Sequence, residues 1–348
     1  MRAMVLHGLG RPLVLEDVAD PRVGPNEVKI RVRAIGVGLT VVHMLANPGQ
    51  VTAYPRIPGH EVAGEIVELG SEVRGFTVGQ RVTNHFYLTC GQCRFCRAGR
   101  ETLCTAFRGY VGMACDGGYA EYMTLPARNF VPIPDGVSDV DAAVAADAIA
   151  TPFHACTKEA QVQPGDNVLV FGAGGGVGVH VVQVAKAAGA RVIAVEIGES
   201  KLSGAQAAGA DELIDGARGD VAKQVLALTD GRGVEAVIDV VGAKETLEAS
   251  VLALAAGGRL VIVGVRPAAV FGDSSKFTLD ATMIVRKGIE VRGSRYVTAT
   301  EIAQTLELLR QKRVRAIVEQ TFALEQAEHV HQLIRENRVV GRVALRVD

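Results

Sequence analysis

The chain has 348 residues, with 37 basic and 38 acidic side chains and a formal net charge of −1. Because a single hydrophobic core stops growing before this length, we expect two domains. The balanced charge gives no electrostatic reason to expect nucleic acid or an anionic membrane as a partner, and it favours a small-molecule substrate. Gly is abundant, with 40 residues, and Trp is absent, a composition typical of tightly turned α/β proteins.

The N-terminal segment does not have the pattern of a targeting sequence. Its apolar residues are interrupted by Gly and Pro and are followed by acidic residues, so the apolar core of a signal peptide is missing. No uninterrupted apolar run reaches membrane-spanning length. We therefore expect a cytoplasmic protein with no membrane association, in which the six cysteines are not paired as disulfides.

The first part of the chain is predicted to be mostly β. The run VKIRVRAIGV, residues 28–37, alternates apolar residues with charged or small ones, which is the period of a strand with one buried face. Shorter β-like runs, HEVAGEIVEL and GGYAEYMTL, follow between turn-rich segments. This pattern continues for about the first 140 residues.

The pattern changes after Asp141 to an Ala-rich helix and then to a βαβ unit. NVLVFGAGGGVGVHVVQVAKAAGARVIAVE, residues 167–196, predicts a strand, a glycine turn, a helix and a second strand. VEAVIDVVG and GRLVIVGV are continuous apolar runs, which are typical of parallel strands buried on both faces.

The C-terminal segment is predicted to fold back onto the first domain. EIAQTLELLRQ and QAEHVHQLIREN are predicted helices, and GRVALRV is a predicted strand. If the apolar run RLVIVGV forms a sheet edge, it could pair across a two-fold axis, so we expect a homodimer or a homotetramer.

The segment GAGGGVG, residues 172–178, lies between a predicted strand and a predicted helix, where a dinucleotide-binding turn is expected. Backbone N–H groups and the helix dipole can hold a pyrophosphate at such a turn. Its glycines Gly172, Gly175 and Gly178 depart from a strict GxGxxG spacing. A turn required only by packing in another α/β protein is the alternative interpretation.

Glu196 ends the second predicted strand, about 20 residues after the glycine turn. A carboxylate at this place can accept hydrogen bonds from both ribose hydroxyls of NAD, and it would repel the additional phosphate of NADP. The sequence therefore predicts NAD(H) as the cofactor. Lys201 either covers the adenosine end of the cofactor or is solvated at the start of a helix.

Four cysteines, Cys90, Cys93, Cys96 and Cys104, have the spacing of metal ligands. Four thiolates of this kind are typical of a closed, structural zinc site. A ferredoxin cluster also uses C-x2-C-x2-C, but here the fourth cysteine follows after seven residues and without the expected proline. We therefore predict structural zinc and treat the two other cysteines as small buried hydrophobic residues.

The motif GHEVAGEIVELG, the four-cysteine loop, DGGYAEY and the dinucleotide turn together resemble the zinc-type medium-chain alcohol dehydrogenases over essentially the whole chain. The resemblance implies an α/β protein with a mostly β, GroES-like catalytic domain formed by residues 1–149 and 293–348. It also implies a doubly wound, parallel-sheet Rossmann domain for NAD, residues 150–292, and an active site in the cleft between the two domains.

The resemblance also gives roles to single residues. It marks His60 as a ligand of a catalytic zinc ion with Glu61 beside it, and Asp147 as a further metal ligand. Asp147 interrupts the apolar stretch AAVAADAIA, where an unpaired carboxylate is costly, so a metal ion or His60 is its expected partner. Thr151 matches a residue that lines the nicotinamide. Further cofactor contacts are expected at Gly176, Val177, Val263, Ser294 and Arg342.

The segment GVGLTVVH, residues 36–43, departs from the family pattern. Thr40 and His43 match positions that pass the alcohol proton to solvent. Gly38 stands where the family has a zinc-binding cysteine, and Val41 stands where it usually has an aspartate that orients the zinc-binding histidine. The sequence therefore leaves open whether the site of His60 binds zinc.

Three functions are compatible with these features. The first is an NAD(H)-dependent alcohol dehydrogenase or ketone reductase that uses Thr40, His43, His60 and Asp147. The second is a reductase of a polarised C=C bond that needs no catalytic zinc, which would explain the missing cysteine. The third is a non-catalytic NAD-binding protein descended from such an enzyme.

Overall fold

The chain folds into two units, each built on its own large sheet. The computed structural model describes residues 1–266, 271–272 and 275–347. Met1–Ala150 and Val297–Asp348 form the first unit, and Thr151–Tyr296 form the second. The C-terminal segment therefore belongs to the same unit as the N-terminal part of the chain.

The helices and strands are numbered along the chain. The strands are β1 (Arg2–Leu6), β2 (Leu13–Asp17), β3 (Glu27–Val37), β4 (Glu61–Leu69), β5 (Arg81–Asn84), β6 (Tyr122–Pro126), β7 (Phe130–Pro132), β8 (Asn167–Phe171), β9 (Arg191–Glu196), β10 (Glu212–Asp215), β11 (Val234–Asp239), β12 (Leu254–Ile262), β13 (Glu290–Gly293), β14 (Val318–Ala323) and β15 (Arg342–Arg346). The α-helices are α1 (Leu39–Ala46), α2 (Arg94–Arg97), α3 (Asp139–Val144), α4 (Ala150–His154), α5 (Gly178–Ala187), α6 (Glu199–Ala207), α7 (Val221–Leu228), α8 (Lys244–Ala253), α9 (Ala281–Lys287), α10 (Ala299–Arg310) and α11 (Ala327–Arg335). Within the described part of the chain, none of the helices combines the length and the apolar character that crossing a membrane requires.

β3 is the central strand of the first unit. Val28, Ile30 and Val32 alternate along it and are fully buried, which confirms the strand predicted from the sequence. The seven-stranded sheet has the order β14-β15-β3-β4-β5-β7, and β6 pairs with the N-terminal half of β3. β1 and β2 form a separate antiparallel pair.

The register of β3 determines which residues meet at one end of this sheet. Gly36 of β3 pairs with Glu61 of β4 on one side and with Ala344 of β15 on the other. Gly38 follows β3 and is the N-cap of α1. It therefore lies beside Arg342, the first residue of β15.

The turn that follows α3 places the carboxylate of Asp147 in the interior of the first unit. Ser138 is the N-cap of this helix, and its hydroxyl accepts a hydrogen bond from the backbone N–H of Asp141 at 3.1 Å. The helix continues into a π-helical turn, Ala145–Ile149, in which all five residues are buried. This turn packs against β4 and contains Asp147.

The second unit contains a six-stranded, entirely parallel sheet with the order β10-β9-β8-β11-β12-β13. Leu169, Ile193 and Val237 are fully buried in its core. The strand order changes direction between β8 and β11, and dinucleotides bind at such a position in doubly wound sheets. The predicted fold class is confirmed for this unit.

β12 is not a sheet edge, contrary to what the sequence suggested. It pairs with β11 on one side and with β13 on the other, so β13 and β10 are the edge strands. A run of apolar residues indicates burial on both faces but does not give the order of strands. The expectation that RLVIVGV forms a sheet edge is therefore wrong. The homodimer or homotetramer stays a prediction.

Candidate active site and metal centres

The turn after β8 is shaped by two of its glycines. Gly172 has a φ of +74°, in the left-handed region that other residues rarely adopt. A Cβ atom on Gly178, the first residue of α5, would overlap the carbonyl oxygen of Gly172. At Gly175 the nearest atom to such a Cβ would be 3.5 Å away, so packing does not require this glycine. The turn leads directly into α5, whose N-terminus can hold a phosphate group.

Glu196 is held in place by two backbone N–H groups. Its Oε2 accepts a hydrogen bond from Gly174 at 3.0 Å, and its Oε1 accepts one from Ile197 at 3.1 Å. A Cβ atom on Gly174 would overlap the backbone of Lys201 in α6. Gly174 was missing from the predicted cofactor residues, although the run of three consecutive glycines was a signal for it. It links the glycine turn to the acidic residue.

The other predicted cofactor residues of the second unit lie at the carboxyl ends of its strands or in helices. Val263 follows β12, and Ser294 follows β13, so both lie at the carboxyl ends of parallel strands. Ser294 Oγ is buried and has no hydrogen-bond partner among the described residues. Lys201 is half-buried in α6, and Thr151 is buried at the start of the unit.

His180 contacts the glycine turn, although it was not among the residues predicted for this site. Val177 is the N-cap of α5, and the carbonyl oxygen of Gly176 accepts a hydrogen bond from His180 Nδ1 at 2.8 Å. Burial lowers the pKa of His180 to about 4, so this imidazole is neutral at pH 7. The contact fixes the turn to the helix and gives His180 a structural role.

The four predicted metal-binding cysteines are close together in the first unit. The Sγ–Sγ distances are 3.5 Å from Cys93 to Cys96, 3.5 Å from Cys104 to Cys90 and 3.9 Å from Cys90 to Cys96. A tetrahedral zinc ion with Zn–S bonds of about 2.3 Å separates its sulfur ligands by about 3.8 Å. The geometry and the donor chemistry therefore fit zinc.

The pKa values of these thiols also indicate that the cluster binds a cation. Hydrogen bonds from the backbone N–H groups of Cys96 and Thr105 lower the pKa of Cys93 to about 5. Burial and the neighbouring sulfur atoms of Cys93 and Cys104 raise the pKa of Cys96 to about 12. Without a cation, the four sulfur atoms do not all ionise at neutral pH, and a divalent ion would allow them to do so.

His60, Glu61 and Asp147 also come together, and all three are buried. His60 Nε2 lies 3.4 Å from Asp147 Oδ2 and 3.7 Å from Glu61 Oε1. The ring of Phe86 covers the imidazole, with 4.7 Å between the ring centroids. His60 is therefore a partner of the buried carboxylate of Asp147, one of the two that the sequence suggested.

Arg342 joins this group from β15. Its guanidinium donates through Nη2 to Glu61 Oε1, and both side chains are almost completely buried. A Cβ atom on Gly38 would overlap Arg342 Nη1. The guanidinium therefore fills the place of a side chain at position 38, and the cofactor contact predicted for Arg342 stays a prediction.

Thr40 and His43 both lie in α1, directly after Gly38. They are three residues apart and therefore share one face of the helix. Both side chains are half-buried.

The sheets, the glycine turn and the four-cysteine cluster define a medium-chain, zinc-type dehydrogenase. Residues 24–135 match the family model of the alcohol dehydrogenase GroES-like domain, and residues 176–311 match the model of the zinc-binding dehydrogenases. The chain belongs to this family, which confirms the resemblance seen in the sequence.

Relatives that are named for two different activities match almost the whole chain. An NAD-dependent alcohol dehydrogenase of Sulfurisphaera tokodaii is 34% identical over 99% of both chains. An acryloyl-coenzyme A reductase of the same organism is 32% identical over 99% of this chain and 100% of its own. A crystal structure of an NAD-dependent alcohol dehydrogenase has a TM-score of 0.90 and 34% identity, with both chains fully covered.

Proposed function

We propose that the protein is an NAD(H)-dependent alcohol dehydrogenase and carbonyl reductase that acts on a small secondary alcohol or ketone. The placement of Thr40 and His43 on one face of α1 is the observation that carries the proposal. A hydroxyl and an imidazole in this order can move a proton to or from a substrate oxygen. Glu196, fixed by the glycine turn, supports NAD(H) as the cofactor.

In the reducing direction, the hydroxyl of Thr40 gives its proton to the carbonyl oxygen of the substrate. His43 then restores that proton from solvent, because it lies one helical turn further along the same face. NADH, when bound, supplies the hydride that the carbonyl carbon accepts. The product alcohol gains one hydride and one proton, and the oxidation of an alcohol uses the same groups in reverse.

The cysteine cluster supports structural zinc in the same protein. Cys90, Cys93, Cys96 and Cys104 would provide all four ligands, so no position remains for a substrate oxygen. Bound there, the ion would hold the loop that contains α2.

Reduction of a polarised C=C bond is the second candidate function. The specific observation in its favour is that Arg342, which contacts Glu61, fills the side-chain space at Gly38, the position where the family has a zinc-binding cysteine. An acryloyl-coenzyme A reductase is also among the relatives. Assays with NADH on ketones and on enoyl thioesters separate the two functions, since turnover of enoyl thioesters alone would replace the first proposal with the second.

Glu196 should make the enzyme prefer NADH to NADPH by roughly tenfold or more in kcat/KM, because a carboxylate repels the 2′-phosphate. Glu196→Gln removes the charge and keeps an oxygen for one backbone N–H group, so the preference should decrease. Steady-state kinetics with both cofactors measure it. Equal efficiency of NADH and NADPH with the unchanged protein would contradict the assignment.

Cys93→Ser should remove zinc from the purified protein and lower its Tm, because one of four thiolate ligands is lost. Cys115→Ser is the matched control, since Cys115 lies outside the cluster. Zinc content by mass spectrometry and thermal unfolding are the measurements. An unchanged zinc content in Cys93→Ser would show that the cluster is not a zinc site.

Thr40→Val should reduce carbonyl reduction by roughly 10²-fold or more, because the isosteric side chain has no proton to give. Thr40→Ser keeps the hydroxyl and should retain a much larger share of the activity. Initial rates on every ketone that the parent protein reduces test this. Near-normal turnover by Thr40→Val would exclude Thr40 as the proton donor.

A further inference from the structure

We infer that the buried group of His60, Glu61 and Asp147 holds no metal ion, because the guanidinium of Arg342 provides the positive charge and fills the space that opens at Gly38. The three side chains are close enough to suggest a metal site. Three features of the surrounding residues show that the group does not fit one. All of them lie in the first unit, so the inference does not depend on which reaction the enzyme catalyses.

The first feature is the missing ligand at Gly38. A thiolate is the ligand that the family provides at this position, and a glycine offers no donor atom. The direction in which a Cβ atom would leave Gly38 leads straight to Nη1 of Arg342. The space of the lost side chain is therefore occupied by a cation that belongs to the chain itself.

The second feature is the engagement by Arg342 of the Glu61 oxygen that faces His60. Oε1, the oxygen that faces His60, accepts a hydrogen bond from Arg342. Oε2 lies against Gly36, where a Cβ atom would overlap it, and has no hydrogen-bond partner among the described residues. A metal ion bound to Oε1 would have to displace the guanidinium or lie beside it, and the two positive charges would repel each other.

The third feature is the lack of support for His60. A metal-bound histidine normally donates its other ring N–H group to a carboxylate or a carbonyl oxygen, and this contact sets its tautomer. His60 Nδ1 is buried without such a partner in the part of the chain that the structure describes. Val41 stands where the family usually has an aspartate, and it is a buried apolar residue. Among the described residues, no hydrogen bond to Nδ1 therefore orients His60 for a metal.

Arg342 carries this charge at neutral pH. Burial lowers the pKa of its guanidinium to about 9, which still leaves it protonated at neutral pH. It compensates the charge of Glu61, and His60 remains as the contact of Asp147. The cofactor contact predicted for Arg342 is a separate question and stays a prediction. Polarisation of a substrate carbonyl is then left to hydrogen bonding.

The zinc content of purified full-length variants tests this inference without any turnover assay. Proteins expressed with zinc and dialysed into zinc-free buffer are analysed by mass spectrometry. We expect about one zinc per chain in the parent protein, held by the cysteine cluster, and about two in Gly38→Cys, in which a thiolate displaces the guanidinium. Gly38→Ala is the matched control, since it displaces Arg342 without adding a ligand, and it should stay at about one.

Two zinc ions per chain in the parent protein would overturn the inference, as would a folded Gly38→Cys variant that still holds one. If Gly38→Cys does not fold, Arg342→Met provides a second test. It should lower the Tm by roughly 5 °C or more, because buried Glu61 loses the guanidinium that compensates its charge. Arg342→Lys keeps a cation and should lose less. A Tm of Arg342→Met equal to that of the parent would also overturn the inference.

Discussion

The buried ion pair between Arg342 and Glu61 is the contact on which the candidate site of the first unit depends. The exposed fractions of the two side chains are 2% and 0%, and neither charge could remain in the interior without its partner. β3 runs between the strands that begin with these residues, and its register brings them together. Gly36 and Gly38 are both required, because a side chain on either would overlap one member of the pair.

The two groups that resemble metal centres differ in how their charge is compensated. The four cysteines are donors of one kind, and a divalent ion would allow all four sulfur atoms to ionise together. The group of His60 contains donors of mixed type and already has the guanidinium of Arg342 in contact with it. The first group therefore has a complete set of thiolate donors for zinc, and the second has no donor side chain at Gly38.

Much of the fold followed from patterns within the sequence. The alternation in β3, the apolar runs of β8 and β9 and the cysteine spacing are local signals, and each has a direct physical cause. The contact of Arg342 with Glu61 was not predictable in this way, since the two residues are 281 positions apart and meet only through the register of three strands. The position of β12 was misjudged for a similar reason, because strand order is a property of the whole sheet. Family resemblance showed that a ligand was missing at Gly38 but not what had taken its place.

The central claim is that the guanidinium of Arg342, which fills the space at Gly38 and contacts Glu61, supplies the positive charge in place of a second metal ion. Crystals of the unchanged protein, grown with zinc present and measured at the zinc absorption edge, provide the most direct measurement. We predict one anomalous peak, between the sulfur atoms of Cys90, Cys93, Cys96 and Cys104, with Arg342 in contact with Glu61. A second peak within bonding distance of His60 Nε2, with Arg342 turned away from Glu61, would contradict the claim.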